Sequence, residues 1–291
     1  MKLPKVVVLL ALTGVMLSLT IGTELHAQEW TKFELIETSA LPIVRAKVNG
    51  MGGHRLVLDV GFEDLLLDTL LVDGAGMKLI SRGEAQEIDF YGKKETVPVS
   101  YVQTLEIGKA KFELVRTLLI EGEDGTGSGG LRSYGRIGRD ILEPLRVTVH
   151  YPRQLLLIEP SPAADVPAGG VTYTTQGRFI YVPVKLGNEG GEYEDATFVL
   201  DPGTSGTVVD RKWAVDTKLA SKKSPQADIA VIEIGGWRRE QVPVLLADMH
   251  ALPYDGNPAG VIGSDVLRTI SVTYDFARDL VWLSEVGDDE S

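Results

Sequence analysis

The chain contains no cysteine, only four histidines among 291 residues, 7% aromatic residues, and 29 Lys+Arg against 41 Asp+Glu. Without thiols there is no disulfide framework, no thiolate metal site and no cysteine nucleophile. A formal net charge of −12 provides no surplus of clustered cations for phosphate backbones, so nucleic acid is not an expected partner. His54, His150 and His250 fall in dissimilar segments, and no metal or organic cofactor is expected. What is present is a 44% hydrophobic chain with 32 glycines, the composition of a folded, acidic, soluble protein with one large domain or two smaller ones.

The N-terminus carries Lys2 and Lys5, an apolar run from Val6 to Ile21, and a short polar segment ending Leu25-His26-Ala27. This pattern predicts a secretory signal peptide over residues 1–27 and an exported protein, periplasmic or secreted. The competing reading is an uncleaved anchor. The run falls short of the roughly 20 residues a spanning helix needs, and Thr13, Gly14, Ser18 and Thr20 interrupt it. No membrane association is expected after cleavage.

Self-similarity organises the rest. Leu56-Val57-Leu58-Asp59-Val60-Gly61 parallels Phe198-Val199-Leu200-Asp201-Pro202-Gly203, each following an alternating, strand-like segment that contains a proline (Pro42, Pro183). Gly135-Arg-Ile-Gly-Arg-Asp-Ile-Leu142 matches Gly260-Val-Ile-Gly-Ser-Asp-Val-Leu267 at an offset of 125, which persists without a gap from Val147 to Leu155 and from Val272 to Leu280. Leu105-Glu-Ile-Gly108 and Ile232-Glu-Ile-Gly235 form a third pair between the other two. The expectation is an all-β chain with lobes over 28–160 and 171–291, joined by a linker over 161–170. A helical turn is expected after each Gly-x-Ile-Gly element.

One Asp-x-Gly after an apolar strand is a common turn. Two at equivalent places in matched halves are brought together by pseudo-twofold packing. Carboxylates at such close range do not both ionise cheaply, so one holds a proton while the other acts as base toward a trapped water. The Asp59 and Asp201 motifs, with Gly61, Gly203, Thr204 and the two later glycines Gly138 and Gly263, resemble those of the pepsin-like and retropepsin-like aspartic proteases. The resemblance covers nearly the whole mature chain. It implies a bilobal, barrel-like acid-protease fold, with an Asp59/Asp201 pair formed inside one monomeric chain and acting on peptide or unfolded protein. It also implies a β-hairpin flap over Gln86–Val97, with Tyr91-Gly92 at its tip; the second half is too short there for an equal flap.

Three positions depart from the family pattern. Val60 and Pro202 stand where a threonine ties the two loops together, and Phe62 stands where a small or hydroxyl residue supports the outer carboxylate oxygen and is expected to crowd the site. The same pattern therefore also fits an inactive peptide- or protein-binding relative, or an envelope scaffold. Ser205 has no Gly-x-Ser-x-Gly context or matched base, and the Gly-x-Ile-Gly segments are too short for a dinucleotide fingerprint. Because His150 aligns with Asp275, both are expected at solvated strand ends. Trp237-Arg238-Arg239 is expected at a hairpin tip.

Overall fold

The computed structural model describes residues 23–25, 29–35, 39–90, 93–121, 132–161, 168–188, 190–221 and 224–286. Most of the expected signal peptide, the flap tip Tyr91-Gly92 and the linker core 162–167 lie outside the described residues. No helix among those described is long and apolar enough to cross a membrane.

The first half runs β1 (Thr23–Leu25), β2 (Thr31–Leu35), β3 (Pro42–Val48), β4 (Met51–Leu58), β5 (Leu65–Asp68), α1 (Thr69–Gly74), β6 (Ile80–Phe90), β7 (Lys93–Ile107), β8 (Ala110–Ile120), β9 (Gly135–Ile137), β10 (Leu145–His150) and β11 (Leu155–Pro160). The second runs β12 (Val171–Thr172), β13 (Thr174–Gln176), β14 (Phe179–Gly187), β15 (Tyr193–Leu200), β16 (Val208–Asp210), α2 (Arg211–Asp216), β17 (Gln226–Ile234), β18 (Trp237–Ala247), β19 (Gly260–Ile262), α3 (Ser264–Leu267), β20 (Ile270–Asp275) and β21 (Leu280–Glu285).

Two closed rings result. The first passes β3-β4-β9-β5-β8-β7 and returns to β3; the second passes β14-β15-β19-β16-β18-β17 and returns to β14. Each step has the same sense in both, with parallel pairs only at β4–β9 and β5–β8 in one and β15–β19 and β16–β18 in the other. The alternating burial of β3 and β14 follows from this closure, because every second side chain points into a barrel. Leu58, Leu65, Leu105 and Phe112 fill one interior; Val182, Leu186, Phe198 and Ile232 fill the other.

A run of strands from both halves, β12-β21-β20-β10-β11-β2, continues the first ring's sheet at β3 and packs beside the second ring, which is a separate sheet. At its centre β10 and β20 pair antiparallel, and Thr148 sits opposite Thr273, its counterpart 125 residues on. Val147 pairs with Tyr274 and Val149 with Val272, so the counterparts exchange across that point. Tyr151 N–H donates to the Ile270 carbonyl at 3.3 Å, and Phe276 N–H to that of Leu145 at 3.1 Å. The local twofold axis therefore runs through the Thr148–Thr273 pair, whose hydroxyls are 2.9 Å apart.

The solvated position expected for His150 and Asp275 is corrected by this sheet. His150 is 6% exposed and Asp275 is fully buried, because pairing between the halves covers both strand ends. Trp30 caps the His150 ring edge-on at 6.2 Å between centroids, and Arg146 pairs with the Asp275 carboxylate at 3.2 Å.

The segment expected to form the flap is a hairpin. Gln86 pairs with Val97 and Ile88 with Glu95 across β6 and β7. Arg116 on β8 holds its base by bonding both Gln86 on β6 and Asp64 on the loop after β4. A helix follows β5 and β16 alike, but after α2 the second half passes to β17, the counterpart of β7, with no counterpart of β6 among the described residues.

Candidate active site

Each barrel delivers an aspartate at the end of its second strand. Asp59 N–H donates to the Ile137 carbonyl at 3.0 Å, and Asp201 N–H to that of Ile262 at 3.2 Å. The chain then doubles back. Phe62 N–H reaches the Asp59 carbonyl at 3.0 Å, and Thr204 N–H that of Asp201 at 3.2 Å. The turn aims a glycine N–H at the inner carboxylate oxygen, Gly61 to Asp59 Oδ1 at 3.0 Å and Gly203 to Asp201 Oδ1 at 2.8 Å. Beneath each turn passes the strand-to-helix segment: Arg139 N–H donates to the Phe62 carbonyl and Ser264 N–H to that of Thr204, both at 2.7 Å. Gly138 and Gly263 lie directly under the turns and leave no room for a Cβ.

Asp59, Gly61, Asp201, Gly203 and Thr204 line one cavity of about 320 Å³, walled also by Leu41, Arg178, Phe179 and Tyr254. Both carboxylates thus reach one space inside one chain. A neighbouring hollow of about 640 Å³ shares Arg178, Phe179 and Pro253 with it and extends to Phe62, Gln86, Glu87 and Ile88 at the flap base. Together they form a cleft between the barrels under the hairpin. Another hollow, about 880 Å³, is lined by second-half residues such as Tyr181 and Trp213 and by neither aspartate.

The outer oxygens are held differently. Asp201 Oδ2 accepts from Thr204 at 2.8 Å and from the Tyr254 phenol at 2.7 Å, with the two hydroxyls also 2.7 Å apart. Burial first, then the Asp201 charge, pushes the Tyr254 phenol well above its usual range, so it stays a proton donor. Asp59 Oδ2 instead accepts from Arg136 Nη1 at 2.7 Å, an ion pair whose side chains are 11% and 17% exposed.

Val60 and Pro202 offer no hydroxyl for the cross-loop threonine bonds, and the Asp201 loop is tied instead to the segment before β3. Ala40 N–H donates to the Pro202 carbonyl at 2.7 Å, and Arg268 bonds the neighbouring Ser39 carbonyl. Phe62 packs onto the apolar cluster beneath the flap and lines the neighbouring hollow, not the cavity of the two aspartates, which corrects the crowding expected of it.

Sequence reasoning missed Arg136, Arg178 and Tyr254. Arg136 left a signal: at the offset of 125 it faces Val261, a charge where the counterpart is apolar. Tyr254 and Arg178 lie in loops whose approach to the aspartates no periodicity encodes.

A charged layer lies under the Asp59 turn. Desolvation first, then Asp64, Glu63 and Glu143, pushes the Asp140 carboxyl from 3.8 to about 6, with Arg139 opposing. A carboxyl raised on folding favours the protonated fold, so its contribution is full below about pH 4 and fades as pH rises through about 6. Asp140→Asn is expected to remove this part of the pH dependence, so that the melting-temperature difference between pH 4.5 and pH 7 becomes smaller. Thermal unfolding at the two pH values checks this; an unchanged difference contradicts it.

No protein-family model matches the sequence, and no curated protein matches it. Among solved structures the chain is similar to an aspartic proteinase from Irpex lacteus, at 11% identity, over 91% of this chain and 99% of that one, with a TM-score of 0.59. The molecule therefore has the bilobal aspartic-proteinase fold.

Proposed function

We propose that the protein is an exported aspartic-type peptidase that hydrolyses peptide bonds in the cleft between its barrels. The observation that carries this reading is the convergence of Asp59 and Asp201, on loops of matched hydrogen bonding, in one cavity under a hairpin. A water between the carboxylates gives a proton to one while attacking the carbonyl carbon; the other, protonated, donates to the carbonyl oxygen. Collapse of the tetrahedral intermediate breaks the C–N bond and returns a proton to the leaving amine. The substrate is an extended peptide or unfolded protein, and no further cofactor enters this scheme.

A second reading, a peptide-binding protein without turnover, is favoured by one feature: Arg136 neutralises one member of the pair. Incubating the purified chain 28–291 with an unfolded protein between pH 3 and pH 7, followed by mass spectrometry of the products, separates the two. Defined internal cleavages support the peptidase; retention of peptide without cleavage at any pH supports the binder.

A further inference from the structure

We infer that Arg136 is the positioning residue of Asp59, standing in for a hydroxyl that its loop lacks; the inference rests on the proposed hydrolysis at the pair. Both aspartates have Oδ1 fixed by the N–H two residues on, and a carboxylate held at one oxygen alone remains free to swing about its χ angles. In the second barrel the other oxygen is held from three residues on, by Thr204, with Tyr254 beside it. In the first barrel the residue three on is Phe62, whose side chain carries no hydroxyl.

The donor arrives from a different element. Arg136 is the middle residue of β9, between Val57 on β4 and Leu66 on β5, and its counterpart Val261 is fully buried. A guanidinium in such a ladder is tolerated only with its charge matched, and it spends one N–H on Asp59 Oδ2. With that oxygen held from β9, position 62 is released from polar duty. Phe62 then packs with Ile88 and Val97 under the flap. Positions 136 and 62 are thus a linked exchange: a hydroxyl within the loop is traded for a cation from the next strand and an aromatic buttress for the hairpin.

The test is a set of variants: Arg136→Val, which installs the residue of the other barrel, Arg136→Lys, Phe62→Thr, and the double variant Arg136→Val/Phe62→Thr. On a peptide substrate Arg136→Val is expected to lower kcat roughly 100-fold with KM within about threefold, the signature of a misplaced reacting group and not of lost substrate contacts. Arg136→Lys restores part of that loss. Phe62→Thr lowers the melting temperature by opening the flap cluster. The double variant, compared with Phe62→Thr alone, keeps most of the activity, because the substituted side chain at position 62 supplies the hydroxyl as Thr204 does in the other barrel.

Crystal structures of Arg136→Val and the double variant give a readout independent of turnover. Asp59 is expected to rotate away in the first and return in the second. An Asp59 that keeps its place in Arg136→Val, or a double variant no better than Arg136→Val, overturns the inference. A wild type that cleaves nothing while Asp59 rotates as expected overturns the peptidase reading and leaves the positioning role standing.

Discussion

Alanine at Gly263 is expected to destabilise the fold by about 3 kcal/mol or more, with alanine at Gly138 costing as much. Neither glycine is there for an unusual dihedral, since both backbones are extended, with φ −97° and −86°. The obstacle is overhead. A Cβ at 263 would overlap the Gly206 carbonyl and press on that of Thr204, and one at 138 would overlap the carbonyls of Glu63 and Asp64. The turns cannot retreat without breaking the 2.7 Å bonds that tie Ser264 and Arg139 to them. Both substitutions should therefore also displace the aspartate above. Gly74→Ala is the control: its Cβ meets nothing within 4 Å, and the change should stay within about 1 kcal/mol. Denaturant unfolding with a constant slope measures all three.

The fold was legible because similar short motifs occur in the same order in the two halves of the sequence. Asp59-Val-Gly and Asp201-Pro-Gly mark equivalent strand ends, and the offset of 125 between β10 and β20 anticipates the register that sets Thr148 against Thr273. The flap segment was legible by difference, as excess length in one half. The site was legible only in part. Gly138 and Gly263 could be placed because they match a glycine of the motif that the chain resembles. Of the groups that hold the outer oxygens, Thr204 could be placed from its motif; Tyr254 and Arg136 could not, because one comes from a loop and the other from a neighbouring strand in space. The missing hydroxyl at position 62 reads as erosion in one dimension; in three, Arg136 supplies a bond to Asp59 from elsewhere. His150 and Asp275 misled for the same reason, since only the sheet formed between the halves buries them.

Asparagine at 59 or at 201 is expected to reduce kcat by at least about 1,000-fold, the largest effect on activity, because an amide neither accepts the proton of the water nor carries one to the carbonyl. The two variants should differ in stability. At 201 the amide faces the Thr204 and Tyr254 hydroxyls, which can accept as well as donate, so little is lost. At 59 it faces Arg136 on one side and the Gly61 N–H on the other, and an NH₂ in either place meets a donor. Asp59→Asn should cost about 1–3 kcal/mol; melting curves show whether it does.

The most direct test is the cleavage rate of one peptide by wild type, Asp59→Asn and Asp201→Asn, purified side by side and assayed where wild type is most active. A wild type that turns over, beside two folded variants that do not, is the result expected of a water-activating pair at Asp59 and Asp201. Equal rates for all three would contradict it.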